Sequence, residues 1–127
     1  MKIQPIRHNH SVCLLLFHFV VVCKRRRKEL SEEITIDVIK NAIAHHPITI
    51  QEGEIGENDH IHLLVQAPAT LSPAEIARII KGCSQSAIRK IIPSWSGWSR
   101  SYYISSVGGN SLEAVQAYIN NQNNSQA

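Results

Sequence analysis

The stretch Asp59-His60-Ile61-His62-Leu63-Leu64-Val65 constrains the fold more than any other part of the chain. Apolar and β-branched residues run through it without a helical period, so it reads as a β-strand. Side chains alternate along a strand, which puts His60, His62, Leu64 and Gln66 on one face and Ile61, Leu63 and Val65 on the other. The second set is suited to a core. The first sets two imidazoles on one face, at a spacing that lets them ligate a single divalent ion. The same pattern also suits two polar residues on the wet face of a half-buried strand, and the spacing alone leaves both readings open.

The remaining elements follow from periodicity and punctuation. Val12 to Cys23 is apolar at nearly every position and reads as a central strand, with His18 as a core histidine satisfied by backbone partners. Preceded by Lys2 and Arg7, this run imitates a secretion signal. It is too short to span a bilayer, and Lys24-Arg25-Arg26-Arg27-Lys28 follows it in place of a cleavage site. Ser31, with Glu32 and Glu33, reads as the start of a helix whose apolar face is Ile34, Val38, Ile39, Ala42 and Ile43, and which ends at His45, His46 and Pro47. A strand begins at Ile48 and pairs as a hairpin with the histidine strand across Gly53 to Asp59. Ser72-Pro73-Ala74-Glu75 opens a second helix as a capping box, and Pro93 stops it. Trp95 and Trp98 either cover the edge of the core or stack bases. Ser101 to Val107 is the last strand. Gly108-Gly109-Asn110 is a flexible link, Ser111 caps a final helix to about Gln122, and residues 123–127 form a polar tail.

This order predicts an α+β fold: a ferredoxin-like βαββαβ antiparallel sheet, with both helices on one face and an additional C-terminal helix. With 127 residues and no internal repeat or linker, it makes one domain, ordered over about residues 11–122. Three cysteines, Cys13, Cys23 and Cys83, form no Cys-x-x-Cys pair and read as reduced thiols of a cytoplasmic protein. A net charge of +3 permits a polyanionic partner without requiring one. The basic run at the exit of the first strand is either solvated surface or a phosphate grip, since Arg forks match phosphate oxygens.

The final helix carries the second informative group. Tyr118 and Gln122 are four residues apart, hence on one side of the helix, together with much of Val115 and Ile119. A phenol is a poor nucleophile unless its electrophile is activated. A divalent ion held by His60 and His62 could activate a phosphodiester, and Gln122 is placed to complete the coordination or orient the phosphate. A tyrosine buried for structural reasons is the other reading of Tyr118.

Four segments together resemble one family: Asp59 to Val65; Ile80-Lys81-Gly82; Ser101-Tyr102-Tyr103 followed by Val107-Gly108; and Ala117-Tyr118-Ile119-Asn120-Asn121-Gln122. In that order they are similar to the single-tyrosine HUH transposases of the insertion-sequence 200/605 group, over roughly residues 11 to 122. The resemblance implies a homodimer that cuts and rejoins single-stranded DNA bearing hairpin ends. It implies that His60, His62 and Gln122 hold Mg²⁺ or Mn²⁺, and that Tyr118 is the nucleophile, forming a 5′-phosphotyrosine. Lys24, Arg25, Arg26, Arg27 and Lys81 would contact DNA. The sites would be composite, with Tyr118 of one subunit facing His60 and His62 of the other. The chain departs from the family in having no aromatic residue inside its basic run, and no longer C-terminal contribution is expected beyond the five residues after Gln122.

Two further classes are compatible with the residues alone. One is a non-catalytic nucleic-acid module with Trp95, Trp98, Tyr102 and Tyr103 as stacking platforms. The other is a metal-dependent hydrolase using water, with His45 or His46 as an added ligand. No partner membrane is expected.

Overall fold

The computed structural model describes residues 3–107 and 112–122, and for residues 8 and 112–115 the backbone alone. Four strands form the main sheet: β3 (Leu16–Val22), β4 (Thr49–Gly56), β5 (His60–Gln66) and β6 (Tyr103–Ser106). Their spatial order is β4-β5-β3-β6, and every neighbouring pair is antiparallel. With helices α1 (Ile36–Ala42) and α2 (Pro73–Ile91) as the two crossovers, this is the ferredoxin-like arrangement expected from the sequence. Helix α3 (Leu112–Asn121) follows it.

The long apolar run is not one strand. Ser11–Cys13 (β2) turns back on Ile6–His8 (β1) as a separate hairpin, and Leu14 and Leu15 are exposed between it and β3. From Leu16 onward the chain is the central strand. Phe19 and Val21 pack with Ile61, Leu63 and Val65 under both crossover helices, where each buried side chain contributes about 1.5–3 kcal/mol.

α1 starts later than Ser31. Thr35 is the cap, its Oγ1 accepting from the Val38 N–H at 3.3 Å, and Asp37 supplies the acid of the first turn. Ser31 instead opens a turn, its carbonyl accepting from the Ile34 N–H. α2 begins as its sequence requires: Ser72 Oγ accepts from Glu75 N–H at 3.1 Å and Glu75 Oε1 accepts from Ser72 N–H at 2.9 Å. Gly56-Glu57-Asn58-Asp59 closes the β4–β5 hairpin, with positive φ at Glu57 and Asn58 and the Asp59 N–H bonded to the Gly56 carbonyl.

Trp95 and Trp98 are core residues. They meet edge-on with centroids 4.8 Å apart, and their indole N–H groups donate to Cys23 Sγ and Ser84 Oγ. Neither is open to a base. Burial pushes the Cys23 thiol up to about 12, so it is an inert packed thiol. Cys13 and Cys83 are free as well.

The second face of the sheet is the open one of the βαββαβ unit, and α3 lies across it. Ile119 buries against Val20 on β3, and the Tyr118 ring packs at a tilt of 44° against that of Tyr103 on β6, with centroids 5.3 Å apart. The link Gly108-Gly109-Asn110, the cap Ser111, the side chain of Val115 and the tail 123–127 lie outside the described residues. Among those described, no helix is long and apolar enough to cross a membrane.

Candidate active site

Strand register assembles the open face row by row. Gly56, His60 and Val22 form one row; Glu54, His62, Val20 and Tyr103 the next; Glu52, Leu64, His18 and Ser105 the third. His60 and His62 share this face, as alternation requires, but the face is less open than the sequence suggests. His60 is 7% exposed and its ring lies over Gly56, where any Cβ would collide with it. Only glycine fits at that position.

The two imidazoles are held differently. The Asp59 carboxylate lies 2.7 Å from His60 Nδ1. An ionised carboxylate can only accept, so Nδ1 carries the hydrogen, and in the neutral ring the lone pair is on Nε2. This carboxylate–histidine pairing is the usual support of a metal-ligating imidazole. Asp59 is itself 1% exposed and bonds Arg26 Nε at 3.1 Å. His62 has Nδ1 3.9 Å from Glu54 and Nε2 3.3 Å from His18 Nδ1. Burial, aided by the neighbouring His18, holds His62 below the ordinary histidine range, which keeps it neutral and able to ligate.

Tyr118 and Gln122 meet at Ser101. Tyr118 donates to Ser101 Oγ at 3.3 Å, and Ser101 donates to Gln122 Oε1 at 3.1 Å. Burial raises the Tyr118 phenol above its ordinary value, partly opposed by the Ser101 bond. Tyr103 is two strands from His62 in the same row, roughly 10 Å at ~4.8 Å per strand. The nucleophile candidate over Tyr103 and the histidine pair thus share a face without converging. Among the described residues, no three His, Cys, Asp or Glu side chains are arranged to hold an ion, and the buried hydroxyls of Tyr103 and Ser105 have no partner. As a donor set the residues still fit a divalent ion: one imidazole with its lone pair fixed, a second kept neutral, and an amide on the helix above.

The basic run divides. Lys24, Arg25 and Arg27 are exposed, and Arg27 also donates to Ser96 Oγ. Arg25 and Arg26 have φ of 55° and 51°, a left-handed conformation costing about 1–2 kcal/mol each. That kink turns Arg26 inward, correcting its expected role as a phosphate grip. Its guanidinium bonds Asp59, Glu57 and the Ile119 carbonyl of α3, and its side chain is 10% exposed. Arg26 thereby joins the carboxylate behind His60 to the helix bearing Tyr118. Lys81 is also engaged, donating to the Arg100 carbonyl at 2.9 Å, and burial lowers its pKa.

Removing Arg26 leaves a buried carboxylate short of its main partner. Arg26→Ala is therefore expected to destabilise the fold by about 3 kcal/mol, the low end for a broken buried pair because Lys28 stands 3.8 Å from Asp59. Urea denaturation checks this. Arg25→Ala should leave stability unchanged.

Four site residues were missed from sequence: Asp59, Arg26 as a positioning residue, Ser101 and His18. His18 is half-buried on the open face, not a core histidine. His45 and His46 are exposed on the helix side, where His46 lines the groove between α1 and α2, so neither reaches the histidine pair. Tyr102 packs against Phe19 and Tyr103 against Tyr118, and both rings are half-buried.

The family described as "Transposase IS200 like" matches residues 11–122. The ISDra2 transposase TnpA of Deinococcus radiodurans is 26% identical over 118 residues, covering 85% of this chain and 84% of that protein. A crystallised transposase of Deinococcus radiodurans R1 superposes with a TM-score of 0.81 at 23% identity, covering 92% of this chain and 97% of its own. A REP-associated tyrosine transposase bound to a REP hairpin shares the fold with a TM-score of 0.51 at 14% identity, covering 92% of this chain and 68% of its own.

Proposed function

The chain belongs to the IS200-like transposase family, and from that premise and the geometry of the open face we propose that it cuts and rejoins single-stranded DNA through Tyr118. The observation that carries the reading is that two elements share one face of the sheet: the strand with His60 and His62, and the helix with Tyr118 and Gln122. A hairpin-bound relative of the same fold supports hairpin-ended DNA as the substrate.

In this reading the Tyr118 oxygen bonds to phosphorus and the P–O3′ bond breaks. The phenol proton is lost and the departing 3′ oxygen gains one. The strand is left with a free 3′-hydroxyl and a 5′-phosphotyrosine. Reversal by another 3′-hydroxyl conserves the ester energy, so rejoining needs no ATP. His60, His62 and Gln122 would hold the divalent ion, Mg²⁺ or Mn²⁺, which when bound acts as a Lewis acid on a phosphodiester oxygen. Asp59 fixes the His60 tautomer, and Ser101 holds the phenol and the Gln122 amide together until DNA arrives. A cytoplasmic homodimer fits this role.

Incubation with single strands carrying hairpin ends and Mn²⁺ should give a protein–DNA band resistant to denaturing electrophoresis. Cleavage at multiple turnover without such a band would replace the tyrosine by water. Lys24, Arg25 and Arg27 are the DNA-binding residues this reading keeps from the basic run. Each phosphate grip removed by alanine at Arg25 or Arg27 should flatten the log–log salt dependence of binding by about 0.7. An unchanged slope makes these residues ordinary surface.

A further inference from the structure

His18 has no part in the reaction proposed above, yet it is the nearest imidazole to a residue that does. β3 sets it one diagonal step from His62: His18 pairs with Leu64, and His62 with Val20. Its Nδ1 lies 3.3 Å from His62 Nε2, with the ring planes inclined at 49°. Two imidazole nitrogens bound tetrahedrally to one ion at ~2.05 Å stand about 3.3 Å apart. The same separation is a long imidazole–imidazole hydrogen bond. The spacing therefore lets an ion take the place of the shared proton without moving either ring.

The surroundings agree. His18, His62, Glu52 and Glu54 line one cavity of about 250 Å³. Glu54 stands on the Nδ1 side of His62 at 3.9 Å, which favours the hydrogen there and the lone pair on Nε2. The remaining coordination positions are open to water or to a turn of the exposed Glu54 side chain.

We propose that His18 and His62 form a second divalent-metal site, selective for Zn²⁺-like ions over Mg²⁺. Neutral imidazoles favour Zn²⁺, and the His18–His62 pair has neither the Gln122 amide nor the phosphodiester oxygen that would supply oxygen ligands to Mg²⁺ at the His60 site. Among the described residues no three His, Cys, Asp or Glu side chains are arranged around one ion, so His62 pairs with His18 or with His60. An ion between His18 and His62 withdraws His62 from the His60 pair. Zn²⁺ is then an inhibitor of DNA cleavage, a consequence that rests on the reaction proposed above. The binding itself does not.

The test is a Zn²⁺ titration by calorimetry, without DNA. His60→Ala should still bind one Zn²⁺ per chain, and His18→Ala/His60→Ala should bind it about a hundredfold more weakly. Zn²⁺ should raise the Tm of the first variant and not of the second. Equal affinity in the two, or a folded His60→Ala that binds no more tightly than His60→Ala/His62→Ala, overturns the site. In the wild type, ring ¹⁵N signals of His18 and His62 should shift together on Zn²⁺ addition, and an unmoved His18 signal also overturns it. A protein that passes these tests yet forms no DNA adduct would sink the transposition chemistry and leave this site standing.

Discussion

Tyr118→Phe should lose at least about 10⁴-fold in strand cleavage and form no covalent adduct, a loss on the scale seen when a nucleophile is removed. Its binding to single-stranded DNA should hardly change. The ring would keep its place on Tyr103, with centroids 5.3 Å apart, and lose only the hydroxyl's bond to Ser101. That bond is exposed and contributes about 0.5–1.5 kcal/mol at most. Gel electrophoresis for the adduct and fluorescence anisotropy for binding separate the two effects. Full cleavage by the variant would remove Tyr118 from the chemistry.

The same residue predicts a pH profile. Burial raises the Tyr118 pKa, so at neutral pH the phenol is almost wholly protonated. Cleavage should climb with pH toward and beyond 10, as the fraction of phenolate grows. Stability has the opposite sign. The folded state disfavours the phenolate, so the contribution of Tyr118 is complete below about pH 10 and fades as pH rises through its higher folded value. A rate that falls from pH 8 to 9.5 in a protein still folded would contradict the phenolate as attacking species.

What the sequence made legible depends on the range of the interaction. The β5 face pattern and the α2 capping box are local, and residues within four positions of one another decide them. The split of Val12 to Cys23 was hidden because Leu14 and Leu15 carry no turn residue, and the hairpin with Ile6–His8 draws on an earlier segment. Ser31 and Thr35 are both competent caps, and the register of Ile39 and Ile43 against the core selects the later one. The inward turn of Arg26 needs two left-handed arginines with no glycine to signal them, and its partners are 31 or more residues away. His18 was out of reach for the same reason. Alternation gives its face, but only the β3–β5 register puts it beside His62. His60, His62, Tyr118 and Gln122 were named from spacing and family resemblance. Where α3 docks decides whether they meet, and that lies in no short stretch.

The docking of α3 leads to the second large effect. On its own sheet, α3 directs both Tyr118 and Gln122 to Ser101, with Tyr103 two strands from His62. Among its described side chains a single apolar one, Ile119, is buried, an anchor of about 1.5–3 kcal/mol. The Arg26 bond to the Ile119 carbonyl is long at 3.4 Å. These contacts can be exchanged for the same contacts on a partner's sheet, and in a two-fold dimer such a swap costs little. Composite sites, in which Tyr118 of one subunit serves His60 and His62 of the other, would follow from such an exchange. Tyr118→Phe and His60→Ala/His62→Ala should each be inactive alone, the second because both imidazoles are gone. Mixed with subunit exchange allowed, they should recover cleavage from none to a substantial fraction of wild type, since each heterodimer then holds one intact site. If every site instead draws Tyr118 and both histidines from one chain, no heterodimer has an intact site and the mixture stays inactive. Absence of rescue, with exchange demonstrated by differently tagged subunits, would fix α3 on its own sheet and leave the chemistry of Tyr118 to be judged by its own variant.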